Sequence, residues 1–108
     1  MNQVEISKIQ ALLNTIFKKN RVKQVILFGS AARMTATKKS DLDLMIVMES
    51  DQRFFDRFAP FEEIYTLFKG KAVDLLIYTP EELKRISERP FIRSIMREGQ
   101  LIYEQREK

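Results

Sequence analysis

Leu27-Phe28-Gly29-Ser30, followed after an interval by Ser40-Asp41-Leu42-Asp43-Leu44-Met45-Ile46-Val47-Met48, is the stretch on which the fold turns. Val25 to Phe28 is a short apolar run closed by Gly29 and reads as a first strand. Leu42 to Met48 is apolar on both faces except at Asp43, the pattern of a strand covered by helices on both sides. Asp41 and Asp43 alternate, so they project from one face of that strand roughly 6 to 7 Å apart. Carboxylates that close repel each other, and a chain keeps them together chiefly where a cation sits between them. Asp43 is the hardest to explain away, because Leu42 and Leu44 flank it in a run otherwise fit for a core. Burying it without a partner would cost several kcal/mol.

Working outward, Val73 to Tyr78 is a third apolar run with Asp74 near its head. Helical segments separate it from the second strand, so the two are expected to lie parallel, with Asp41, Asp43 and Asp74 at one edge of the sheet. Between them, Asp51 to Phe58 and Pro60 to Phe68 read as two helical pieces, since proline suits a first helical turn but not an interior, and Gly70 ends the second. Upstream, Ile6, Ile9, Leu13 and Ile16, with Leu12 and Phe17 beside them, follow the helical period, and Asn20 can end that helix. Ser30 to Ser40 suits a turn with a short helix. Downstream, Thr79-Pro80-Glu81-Glu82 is a capping box that predicts a helix to about Ser87. Pro90 opens a last helix that Gly99 terminates. Leu101-Ile102-Tyr103 is either a short strand or a docked tail. Phe54, Phe55, Phe58 and Phe61 stand at near-helical spacing, either as core or as a docking surface.

Composition narrows the chemistry. At 108 residues the chain is expected to form a single domain, spanning residues 1–108, with enough core to fold without staples. It has no cysteine and no histidine, which removes disulfides, thiolate sites, imidazole bases, catalytic triads and the usual zinc sites. Carboxylates, hydroxyls, lysines and arginines remain. No apolar run approaches the roughly 20 residues needed to span a bilayer, and Met1-Asn2-Gln3 does not begin a signal peptide, so a cytoplasmic protein without a membrane partner is expected.

The net charge of +4 conceals an asymmetry, because residues 1–40 carry eight basic residues against one acidic. Lys18, Lys19, Arg21 and Lys23 read as a solvated surface at a helix end. Arg33, Lys38 and Lys39 lie in the loop that should face the phosphates of a nucleotide. Phe28 is the only aromatic between residues 18 and 41, so the base-stacking pattern of a nucleic-acid groove is missing and no direct nucleic-acid binding is expected. Lys39-Ser40 superficially matches the end of a P-loop. That motif, however, needs glycine immediately before the lysine, where Lys38 stands.

The stretch Leu27-Phe28-Gly29-Ser30-Ala31-Ala32-Arg33 through Ser40-Asp41-Leu42-Asp43-Leu44, with Asp74 on the next strand, resembles the signature of the DNA polymerase beta-like nucleotidyltransferases. It is most similar to the minimal nucleotidyltransferases (MNT) of prokaryotic HEPN/MNT toxin–antitoxin pairs. The resemblance covers nearly the whole chain. It departs at Met34, where the family commonly has glycine after the arginine, a change that would weaken nucleotide binding if that glycine approaches phosphate.

The resemblance implies an α/β (α+β) fold, a small mixed sheet flanked by helices. It also implies magnesium-dependent transfer of AMP from ATP to a hydroxyl, with Asp41, Asp43 and Asp74 as catalytic and metal-holding carboxylates for two Mg²⁺ ions. Gly29, Ser30 and Arg33 would bind the nucleotide. It further implies a small helical HEPN partner as target, with this chain as antitoxin and a toxin tyrosine as acceptor, in a hetero-oligomer or with a homodimer of this chain. Two alternatives stay open: an antitoxin that neutralises by binding alone, and an enzyme that modifies a small molecule, as the aminoglycoside-modifying relatives do. The latter needs an acceptor pocket for which the chain is short.

Overall fold

The computed structural model describes residues 3–32 and 41–106, and all their elements pack on one four-stranded sheet. In chain order these are helix α1 (Gln3–Lys19), strand β1 (Gln24–Phe28), the short helix α2 (Gly29–Ala32), strand β2 (Leu42–Val47), a 3-10 segment (Phe54–Phe61), α3 (Glu62–Leu67), β3 (Val73–Tyr78), α4 (Pro80–Ile86), α5 (Pro90–Glu98) and β4 (Gln100–Glu104). The sheet order is β3-β2-β1-β4. β1 is antiparallel to β2 and to β4, whereas β2 and β3 run parallel, as their helical crossover requires. The C-terminal Gln100–Glu104 segment is therefore a strand, with a register irregularity opposite Val25 and Ile26.

Alternation along the strands divides the core in two. Val25, Leu27, Leu42, Leu44, Ile46, Val73, Leu75 and Ile77 face α1 and α3 in one apolar cluster. Ile26, Phe28, Met45 and Val47 face Ile92 and Ile95 of α5, with Leu83 and Ile86 of α4 packed against them. β2 is thus covered on both sides, which accounts for its nearly unbroken apolar run.

On α1, Ile6, Ile9, Leu13, Ile16 and Phe17 are buried, but Leu12 is 51 % exposed. It lies about 100° around the helix from Leu13, off the buried stripe. Asn20 ends the helix by donating from Nδ2 to the Ile16 carbonyl at 2.8 Å, while Arg21 takes the left-handed conformation at φ 56°.

The segment after β2 departs most from expectation. Helical geometry begins at Phe54 rather than Asp51, and Pro60 lies inside a 3-10 run ending at Phe61, with the α-helix starting only at Glu62. Proline lacks a backbone N–H and cannot continue an α-helical ladder, and the chain passes through it in a 3-10 run of eight residues.

The aromatic quartet divides accordingly. Phe61 is fully buried and Phe58 packs against the core, whereas Phe55 is 83 % exposed. Between them Arg57 is only 7 % exposed. Its Nη1 and Nη2 donate to the two oxygens of Glu82 at 2.6 and 3.1 Å, Nη1 also reaches the Ile77 carbonyl, and Nε donates to the Gln52 carbonyl. Glu82 is the last residue of the capping box, third in the helix, and its reciprocal bonds with Thr79 both form. One carboxylate therefore closes the start of α4 and neutralises a buried guanidinium. Gly99 ends α5 in an extended conformation, not a left-handed one. A side chain there would press on Ile26 and on the Ile95 carbonyl, each at 2.5 Å.

Candidate active site

Parallel pairing of β2 with β3 sets Asp43 directly beside Asp74, and antiparallel pairing with β1 sets Phe28 on Asp43's other side. The bond from the Leu42 amide to the Ala72 carbonyl at 2.8 Å fixes this register at the strand starts. By strand alternation Asp43 shares a face with Met45 and Val47, and Asp74 with Leu76 and Tyr78. Both carboxylates thus stand on the α4–α5 side of the sheet, just past the apolar cluster that those helices cover.

Gly29 follows Phe28 at φ 73°, in the left-handed region that favours glycine. A Cβ at this position would collide with Oδ2 of Asp43 and lie 3.2 Å from its Cγ. The β1–α2 turn therefore brings bare backbone against the Asp43 carboxylate, an approach that only glycine permits. Gln100 of β4 donates from Nε2 to the Ala32 carbonyl at 2.7 Å and ties the end of α2 to the sheet.

Asp43 has its pKa raised to about 6. Burial contributes most, followed by its hydrogen bond with the Asp74 side chain and by repulsion from Asp74 and Asp41. The two carboxyl groups stand within hydrogen-bonding reach of each other, and their mutual repulsion favours a cation between them. Asp41 precedes β2 and is exposed. Its charge reaches Asp43, but among the described residues no group of three acidic side chains is gathered as a ready metal site. The structure thus brings Gly29, Asp43 and Asp74 together and leaves Asp41 at the margin. Hard oxygen donors in a close pair fit Mg²⁺ in kind.

Arg33, Met34, Lys38 and Lys39 lie outside the described residues, as does the Ser30 side chain.

Two features here escaped the sequence reading. Tyr65 of α3 has its pKa raised by burial and by the charge of Asp74, which places its phenol within the field of that carboxylate. On the opposite flank, a cavity of about 340 Å³ opens beside Gly29 and Asp43, walled by Phe28 and by Phe91, Ser94 and Glu98 of α5. No local pattern signals either, because both arise from long-range packing of helices against the sheet. Among the described residues no helix is long and apolar enough to cross a membrane.

The sequence profile of the family described as Polymerase beta, Nucleotidyltransferase matches residues 10–108. A Methanocaldococcus jannaschii protein, named as a candidate protein adenylyltransferase, is 30 % identical over 101 residues, covering 92 % of this chain and 98 % of its own. Among solved structures, a toxin–antitoxin with AMP-PNP superposes with a TM-score of 0.67 at 15 % identity, over 90 % of this chain and 74 % of that one. The complex of a tri-AMPylated Shewanella oneidensis HEPN toxin with its MNT antitoxin gives a TM-score of 0.58 at 18 % identity, over 97 % and 74 %. At these identities the superpositions speak for the fold.

Proposed function

The chain belongs to the polymerase beta nucleotidyltransferase family, and from that premise we propose that it transfers AMP from ATP to a tyrosine hydroxyl of a small helical HEPN toxin, acting as its antitoxin. The observation that carries this reading is the register pairing of Asp43 with Asp74 beside the bare backbone of Gly29. The similarity to a protein named as a candidate protein adenylyltransferase supports a protein acceptor. The fold shared with an MNT antitoxin bound to an AMPylated HEPN toxin supports the partner.

Asp43 and Asp74, with Asp41 moving in from the strand start, would hold two Mg²⁺ ions. Bound there, Mg²⁺ supplies charge neutralisation for the triphosphate and acidifies the acceptor hydroxyl. The chain's own residues do the rest. Gly29 presents bare backbone beside Asp43, with Ser30 and Arg33 as the donors expected to meet the nucleotide's phosphates. Asp74, exposed on the edge strand β3, would orient the acceptor. The hydroxyl oxygen bonds to the α phosphorus, the bond from that phosphorus to the β-phosphate oxygen breaks, pyrophosphate departs with the electron pair, and the hydroxyl proton passes to the carboxylate cluster and on to water.

Co-expression with a HEPN toxin tests this by intact-mass measurement. The toxin should gain one or more adenylates with the wild-type chain and none with Asp43→Ala. Neutralisation that survives Asp43→Ala with an unmodified toxin would replace transfer by binding alone.

A further inference from the structure

We propose that the cavity between β1 and α5 seats the nucleoside half of the substrate nucleotide, with Phe91 as the surface on which its base stacks. The inference rests on the reading that the Gly29–Asp43–Asp74 end of the sheet receives the phosphates.

The cavity is contiguous with that end, since Gly29 and Asp43 form one of its walls, and its volume of about 340 Å³ lies in the range of small-molecule sites. A nucleotide whose phosphates lie along Gly29 has this half-open space beside it on the α5 flank.

The chemistry of the walls selects which part of the nucleotide enters. Phe91 packs edge-on against Phe28, with ring centres 6.0 Å apart and planes at 78°. It nevertheless remains 57 % exposed, while Ile92 and Ile95 of the same helix are buried. An edge-on contact leaves a ring face open, and base–aromatic stacking uses such a face. Opposite it the polar groups are acceptors. Asp43 and Glu98 contribute carboxylates, and Ser94 Oγ already donates its proton to the Phe91 carbonyl at 2.7 Å, so it too can only accept. The Glu98 carboxylate on α5, outside the cation-holding pair, repels a phosphate chain and accepts from O–H and N–H donors. The ribose hydroxyls supply such donors in any nucleotide, and adenine adds an exocyclic amine and a larger stacking face that uracil lacks.

Calorimetric titration of the purified chain with Mg-ATP, Mg-UTP and Mg-tripolyphosphate tests the assignment. Wild-type protein should bind ATP more tightly than UTP. Phe91→Ala should weaken ATP at least about fivefold, the low end for loss of one stacked base, and leave tripolyphosphate unchanged, and Phe91→Trp should restore ATP affinity. An unchanged ATP affinity in Phe91→Ala, or an equal loss for ATP and tripolyphosphate, overturns the nucleoside site while leaving the phosphate reading intact. Failure of wild-type protein to bind either ligand overturns the parent reading and this inference with it.

Discussion

Replacing Gly29 with alanine separates two costs that the structure superimposes at one residue. The first is backbone strain, because φ is 73° there and an L side chain in the left-handed region costs about 1–2 kcal/mol. The second is steric, because the new methyl would collide with Asp43 Oδ2 and push that carboxylate away from Asp74. Turning Asp43 off its rotamer costs about 1 kcal/mol, partly offset by relief of its repulsion with Asp74. Net destabilisation is then about 1–2 kcal/mol, a fall in Tm of roughly 5–10 °C for a domain of this size. The catalytic effect is larger, since displacing a reacting group by about 1 Å costs on the order of a hundredfold in rate. Gly70 supplies the control, because it has φ 83° but nothing within 4 Å of an added Cβ. Gly70→Ala should lose similar stability and keep its activity. Thermal unfolding by circular dichroism and the rate of adenylate transfer, measured well below both transitions, read the two costs separately. Activity of Gly29→Ala within threefold of wild type, or an equal loss in Gly70→Ala, would refute the argument.

Other perturbations follow from the same geometry. Arg57→Met leaves Glu82 without its guanidinium and removes the bonds to the Ile77 and Gln52 carbonyls, so chemical denaturation should show a loss of about 2–3 kcal/mol. Glu82 is held down to about 2 from 4.5, first by its bonds to Arg57. Its folded pKa lies below its unfolded one, so this stabilisation is full above about pH 4.5 and fades as pH falls toward 2, a limb that Arg57→Met should flatten. Phe61→Ala should cost about 3–5 kcal/mol because the ring is fully buried, whereas Phe55→Ala should stay within about 0.5 kcal/mol; equal effects would contradict the division of the aromatic quartet. In metal-free buffer at pH 8, above the Asp43 pKa of about 6, Asp43→Asn should stabilise the fold by about 1 kcal/mol, since it removes a charge that burial and two neighbours oppose. Mg²⁺ should then raise the Tm of the wild type and not of the variant.

The strands were legible because their signals are local. An apolar run closed by glycine marks β1, a run apolar on both faces marks β2 as covered twice, and a helical crossover makes β3 parallel to it, which is enough to set Asp43 beside Asp74. The capping box at Thr79 was legible for the same reason. What escaped was non-local. Arg57 looks like one more surface cation until its partner, 25 residues on, closes over it. Leu12 sits one position off a stripe that sequence spacing leaves ambiguous at its edge. Gly29 reads from the sequence as a nucleotide-binding residue, whereas the close approach of its backbone to the Asp43 carboxylate depends on the pairing of β1 with β2. The cavity under α5 depends on how Phe91 and Ile95 settle on the sheet, which no short motif encodes.

The central claim is that Asp43 and Asp74 form one cation-holding site that receives a nucleotide. Crystals grown with Mn²⁺ and a non-hydrolysable ATP analogue, with diffraction recorded at the manganese edge, test it most directly. The account predicts anomalous density bonded to carboxylate oxygens of both Asp43 and Asp74, with the analogue's phosphates on the same metal and beside Gly29. A triphosphate bound elsewhere, or manganese that ignores this pair at saturating concentration, would contradict it.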